Sequence, residues 1–83
     1  MTKQDKYKKI FMQVFSVGED RINDSFTFAD TDEWTSLSHM FLISELEDTF
    51  DVIFDPNDIL HFGSYENGKL ILERYGVNLQ EEM

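Results

Sequence analysis

The chain has 83 residues, 41% of them apolar and eight of them phenylalanine, enough for one small core burying around two-thirds or less of the unfolded surface. It contains no cysteine, which excludes a disulfide framework, thiolate metal sites and a cysteine nucleophile, and suits a reducing compartment. Seventeen acids against seven bases give a net charge of −10, which repels nucleic acid and anionic lipid headgroups and favours basic partner surfaces.

Residues 3–16 read as a first helix, because Tyr7, Ile10, Phe11, Val14 and Phe15 recur at three- and four-residue spacing and share one face. Thr2 is placed to cap it, with Asp5 three residues on, and Gly18 is the expected stop. Lys3, Lys6, Lys8 and Lys9 lie on or beside the opposite, solvated face; from residue 10 onward three bases face sixteen acids. A long connection rich in Asp, Asn, Ser and Thr follows over residues 17–34. Loops of this length need pins in a compact domain, and Ile22, Phe26, Phe28 and Trp34 are the candidates.

The strongest amphipathic run covers residues 35–50, opened by a hydroxyl cap at Thr35 or Ser36. Leu42, Ile43, Leu46 and Phe50 form its core face, while Ser36, Met40, Phe41, Ser44, Glu47, Asp48 and Asp51 trace a second face by the same spacing. Two bulky apolar groups near a serine, with carboxylates further along, are a layout for docking a partner; the alternative is that Met40 or Phe41 reaches sideways into the core.

A short apolar connection at residues 52–54 leads to Asp55-Pro56-Asn57-Asp58, a helix start with Asp55 as cap and Pro56 at the first helical position. The helix is short, about 56–61, with Ile59 and Phe62 turned inward before Gly63. Ser64 opens a fourth helix over about 64–75, stopped by Gly76. Within it, Asn67-Gly68 reads either as a turn former or as a point where the helix packs closely on a neighbour. Residues 77–83 read as a frayed tail.

Several chemistries are absent. His39 and His61 are too few and too poorly spaced for a metal site, and read as solvated or groove-lining. No glycine-rich phosphate loop or basic–aromatic nucleic-acid patch occurs. Ser36 has no neighbouring base in sequence to activate it, so a hydrolase triad is not supported and a site modified by another enzyme fits better. The longest apolar run, Met40 to Ile43, is far short of a membrane span or signal-peptide core, so the expectation is a cytoplasmic protein without membrane insertion.

The segment Trp34-Thr35-Ser36-Leu37, followed by Leu42, Ile43, Leu46, Glu47, Phe50 and Asp51, resembles the second helix of acyl carrier proteins, whose Asp-Ser-Leu signature opens that helix. The resemblance covers roughly residues 4–76 and is strongest from Trp34 to Phe54. It implies one domain over 1–83, an all-α four-helix bundle of the acyl-carrier type with a long first loop and a short third helix. It further implies a 4′-phosphopantetheine arm on Ser36, derived from coenzyme A, that carries acyl or aminoacyl groups as thioesters without catalysis by the chain itself. The implied partners are a phosphopantetheinyl transferase and acyl-loading and acyl-transfer enzymes with basic surfaces, met by a monomer through Thr35, Leu37, Met40, Phe41, Glu47, Asp48 and Asp51. Two positions depart from the family: Thr35 stands where Asp is usual, keeping the capping oxygen and losing the charge, and Phe41 stands where an acid is common. Both departures suggest a specialised biosynthetic pathway rather than housekeeping fatty-acid synthesis. The alternative is an unmodified acidic interaction module with the same fold.

Overall fold

Each helix begins where a short polar side chain can accept a hydrogen bond from its first turn. In the computed structural model, which describes residues 1–83, these are α1 (Lys3–Phe15), α2 (Ser36–Phe50), α3 (Pro56–Leu60) and α4 (Tyr65–Arg74), with a single 3-10 turn, Glu19–Arg21, in the long loop. The protein is all-α; its only β-type pairings are two isolated bridges. Thr2 and Asp5 cap α1 reciprocally, the Asp5 N–H donating to Thr2 Oγ1 at 3.1 Å and the Thr2 N–H to Asp5 Oδ2 at 2.9 Å. Hydrogen bonding from the Thr2 N–H, and next from the Thr2 hydroxyl, holds the Asp5 carboxyl below its ordinary range. Asp55 accepts from Asn57 N–H at 2.9 Å and Ser64 from Asn67 N–H at 3.0 Å, so α3 and α4 start at the expected residues.

The ends are less uniform. Gly76 lies in the left-handed region (φ 86°), and the N–H groups of Gly76 and Val77 donate back to Glu73 and Leu72 carbonyls, closing α4 as expected. Helix α1, by contrast, does not use Gly18: its left-handed residue is Ser16 (φ 54°, ψ 48°), and Gly18 has ordinary extended backbone before the 3-10 turn. Asp51 ends α2 in the same way (φ 54°, ψ 51°). A side chain in this region costs about 1–2 kcal/mol, against about 0.5–1 kcal/mol of extra chain entropy for glycine. Ser16→Gly is therefore expected to stabilise the fold by about 0.5–1 kcal/mol, raising the melting temperature by a few degrees; a lower melting temperature would mean that the Ser16 hydroxyl matters more than its backbone.

The core is aromatic. Tyr7, Phe11 and Phe15 of α1 meet Phe26 and Trp34 of the loop and Phe62 and Tyr65 around the start of α4, with neighbouring ring centroids about 5 to 6 Å apart. Leu42, Ile43, Leu46 and Phe50 of α2 are all buried beside them, the expected inward stripe. Three of the proposed loop pins, Ile22, Phe26 and Trp34, are buried; Phe28 is not, being 46% exposed. Main-chain bonds explain why. Phe28 N–H donates to Gly63 O and Tyr65 N–H to Phe26 O, so the loop runs antiparallel to residues 63–65 and places Phe26 inside and Phe28 outside. Arg21 closes the base of the loop with a forked pair of bonds to Glu33 (3.2 and 3.0 Å), which holds the Glu33 carboxyl below its ordinary range.

The tail is not frayed. Val77 and Leu79 are buried, and the carbonyls of Glu81 and Leu79 accept from Lys3 N–H (2.8 Å) and Gln4 N–H (2.9 Å). These are the two first-turn donors of α1 that Thr2 leaves unmet, so the chain's last residues complete the cap of its first helix. Ion pairs of Lys3 with Glu81 and of the N-terminal ammonium with Glu82 lie on the same seam; exposed as they are, they contribute little beside the backbone bonds.

Candidate functional site

Thr35 caps α2, and Ser36 is its first helical residue. Ser38 takes the place usually held by an acid in such a cap: Thr35 Oγ1 accepts the Ser38 N–H at 3.2 Å and Ser38 Oγ accepts the Thr35 N–H at 2.7 Å. The Ser38 hydroxyl in turn donates to Glu33 O at 2.8 Å. Two of the three hydroxyls at this helix start are thus committed to the backbone. The third, on Ser36, is exposed and makes no hydrogen bond within the protein. No acid stands in the first turn of α2, so the positive end of the helix is not neutralised from within.

Beside Ser36 lies an apolar cleft of about 700 Å³, lined by Phe28 of the loop, Ser36, His39 and Met40 of α2, and Pro56, Ile59, Leu60 and Gly63 in and after α3. No carboxylate or ammonium group lines it. The core beside it is closed: Phe62, which meets His39 edge-on, is fully buried, as are Leu42 and Leu46, and Phe54 is nearly so. Ile59, expected inward with Phe62, is only half-buried and serves as cleft wall.

His39 shares the cleft with Ser36, a neighbour that sequence distance did not reveal as a base. Trp34 Nε1–H, which can only donate, lies 2.9 Å from His39 Nδ1, and the Ile59 carbonyl, which can only accept, lies 2.8 Å from Nε2. These partners fix the neutral Nε2–H form and occupy its one accepting nitrogen, leaving no lone pair to take a proton from Ser36. His61, exposed at the end of α3, has its Nδ1 2.9 Å from Asn57 O. No group of His, Cys, Asp and Glu side chains is arranged to hold a metal ion.

The remaining candidate residues divide around α2. Leu37, Met40 and Phe41 are 69%, 55% and 59% exposed, so neither Met40 nor Phe41 is a core residue. They do not form one patch. Met40 overhangs the cleft toward α3, whereas Phe41, one residue on and some 100° around the helix, lies over α1 in a shallow groove with Gln13, Val14, Ser44 and Glu45. Asp48 and Asp51 are exposed. Glu47 is half-buried, and its Oε2 accepts the Phe54 N–H at 2.9 Å, so it anchors the chain after α2 as well as carrying charge. Of the cleft residues, the sequence assigns Phe28 to pinning the loop and Pro56 and Gly63 to bounding α3, and gives Leu60 no role; it marks none of the four as part of the site.

Fold and site together define an all-α domain that presents an unengaged serine at a helix N-terminus beside an apolar cleft. No helix is long and apolar enough to cross a membrane. No family model matches the chain, and no curated protein matches it.

Proposed function

We propose that this chain is a carrier protein of the acyl carrier type, a four-helix domain with a long first loop and short third helix, bearing 4′-phosphopantetheine on Ser36. The observation that carries this reading is the free, exposed Ser36 hydroxyl on the rim of the cleft, between two hydroxyls that the cap consumes. A transferase would direct Ser36 Oγ to phosphorus of coenzyme A; the new O–P bond displaces adenosine 3′,5′-bisphosphate, and the serine proton leaves with the transferase's base.

The residues present suit such a group. A phosphodiester on Ser36 would sit at the N-terminus of the 15-residue α2, where the Ser36 and Leu37 N–H groups have no partner in the protein and the helix dipole favours an anion. Thr35, where the resembled family has Asp, keeps the capping oxygen and lacks the charge. When bound, the arm supplies a thiol that holds cargo as a thioester. The chain's own part is to orient the arm's root, offer the cleft to its apolar segments, and hold cargo at high effective concentration before each partner. The protein itself performs no catalysis in this role.

Intact mass tests the reading: coenzyme A and a broad-specificity transferase should add one phosphopantetheinyl group. Failure with several transferases would leave the unmodified acidic module. Docking is assigned to the outward side of α2, where Asp48 and Asp51 set encounter rate and Leu37 and Met40 flank the serine. Asp48→Lys with Asp51→Asn should lower the transferase's kcat/KM and flatten its dependence on salt, since exposed charges act through encounter. Phe41→Ala should leave stability within about 0.5 kcal/mol, as expected for a surface site. A loss of transferase activity in that variant would extend the docking face around α2 toward α1; full activity would confine it to the Met40 side.

A further inference from the structure

Helix α3 is an unusual wall for a cleft, because none of its five residues is fully buried. Its flanking residues Phe54 and Phe62 are anchored in the core and half-buried Ile59 packs against it, and polar ties hold α3 at both ends. At its start, the Tyr75 hydroxyl donates to Asp58 Oδ2 (2.6 Å) and accepts from Asp55 N–H (2.8 Å), while Arg74 donates to Asp58 Oδ1 (2.8 Å). Those bonds, Tyr75 first and Arg74 second, hold the Asp58 carboxyl below its ordinary range. On the cleft side, the tie from α2 is His39 Nε2–H to the Ile59 carbonyl, one of the end carbonyls that so short a helix cannot satisfy internally.

We propose that His39 is the positioning residue of the Ser36 cleft: a neutral clasp, fixed in one tautomer by Trp34, that holds α3 against the first turns of α2. The ring lies against Trp34 at 28° with centroids 6.0 Å apart, and edge-on to Phe28 and Phe62. Packing therefore fixes its plane while Trp34 fixes its proton. With the clasp closed, the cleft is an open apolar groove beside Ser36 and the seam down to Phe62 is shut. With it released, α3 keeps its ties to Tyr75 and Arg74, the packing of Ile59 on the core and the Asn67 bonds to the His61 and Phe62 carbonyls (3.1 and 2.9 Å). It loses its polar tie to α2, so it is free to shift from α2 and widen the groove. His39 thus sets how bulky a chain rooted at Ser36 can be sheltered. That consequence rests on the carrier reading; the clasp itself does not.

The test uses the full unmodified chain, so a failure of modification at Ser36 leaves it intact. Long-range 1H–15N correlations near neutral pH should find the proton on His39 Nε2, and the opposite tautomer would overturn the proposal. In His39→Leu, amide exchange at Ile59 and His61, whose N–H groups bond within α3 to Asp55 and Asn57 carbonyls, should accelerate about tenfold, as expected for loss of one net hydrogen bond that governs local opening. Exchange at Phe11 and Leu46 should stay as in the parent chain, and His39→Gln, which keeps a donor and an acceptor, should recover part of the α3 protection. Unchanged exchange at Ile59 and His61, or an equal rise at Phe11 and Leu46, would reduce His39 to an ordinary packing residue and overturn the proposal.

Discussion

Gly68→Ala should lower the melting temperature by about 8–16 °C, although alanine is the better helix former. Gly68 is buried inside α4, and a Cβ built there would lie 2.2 Å from Phe62 Cζ and 2.2 Å from Tyr7 Oη. Neither neighbour can withdraw: both are fully buried, and Tyr7 donates to the Tyr65 carbonyl at 2.7 Å. Burial also pushes the Tyr7 hydroxyl well above its ordinary pKa, so it remains a donor throughout the working range. Overpacking of this kind costs about 1–3 kcal/mol and disturbing the Tyr7 bond about 0.5–1.5 kcal/mol, against about 0.5–1 kcal/mol gained in helix propensity. The net loss is about 2 kcal/mol, and each kcal/mol moves the melting temperature of a domain this size by about 4–8 °C. Thermal unfolding followed by circular dichroism measures it. An unchanged or higher melting temperature would mean that Phe62 and Tyr7 yield far more readily than a close-packed aromatic core allows.

Gly68 also marks a boundary of what the sequence made legible. Asn67-Gly68 read equally well as a turn, and only the position of Tyr7, some sixty residues earlier in the chain, decides that the glycine serves close packing instead. Local signals were dependable where a residue and its partner are neighbours. Thr2, Thr35, Asp55 and Ser64 each accept from an N–H two or three positions on, so helix starts could be read from spacing alone. The inward stripe of α2 followed from its period for the same reason. Features that depend on distant parts of the chain were not visible. The tail's carbonyls reach the first turn of α1 from the other end of the sequence, with no side-chain signature. Phe28 looked like any other loop aromatic, and what puts it outside is the bond from its N–H to Gly63.

The site was legible in part. The period of α2 put Ser36, Met40 and Phe41 on its outward side, and all three are exposed. It could not separate Met40 from Phe41, because which groove each overhangs depends on α3 and α1. Sequence order also hid His39 as a neighbour of Ser36, although the i, i+3 spacing on a helix was a usable sign. What sequence could not supply was the occupancy of its two nitrogens by Trp34 and the Ile59 carbonyl.

Ser36→Ala should abolish covalent labelling altogether, the largest functional effect expected of any single substitution. Its hydroxyl is the one such group at the start of α2 with no bond to the protein, whereas Ser38 Oγ is held by three backbone contacts, to Thr35 N–H, Glu33 O and Thr35 O. Removing the Ser36 hydroxyl breaks no internal bond, so the fold should be unaffected within about 0.5 kcal/mol. Ser38→Ala removes half of the capping box and should cost about 0.5–2 kcal/mol of stability while leaving the attachment oxygen in place. The two variants thus separate attachment from folding. The direct measurement is intact mass and peptide mapping of the parent chain, Ser36→Ala and Ser38→Ala after incubation with coenzyme A and a phosphopantetheinyl transferase. One phosphopantetheinyl group on the parent chain and on Ser38→Ala, mapped to Ser36, with none on Ser36→Ala, is the predicted result. A parent chain that stays unmodified with every transferase, or a Ser36→Ala chain that is still labelled, would contradict it.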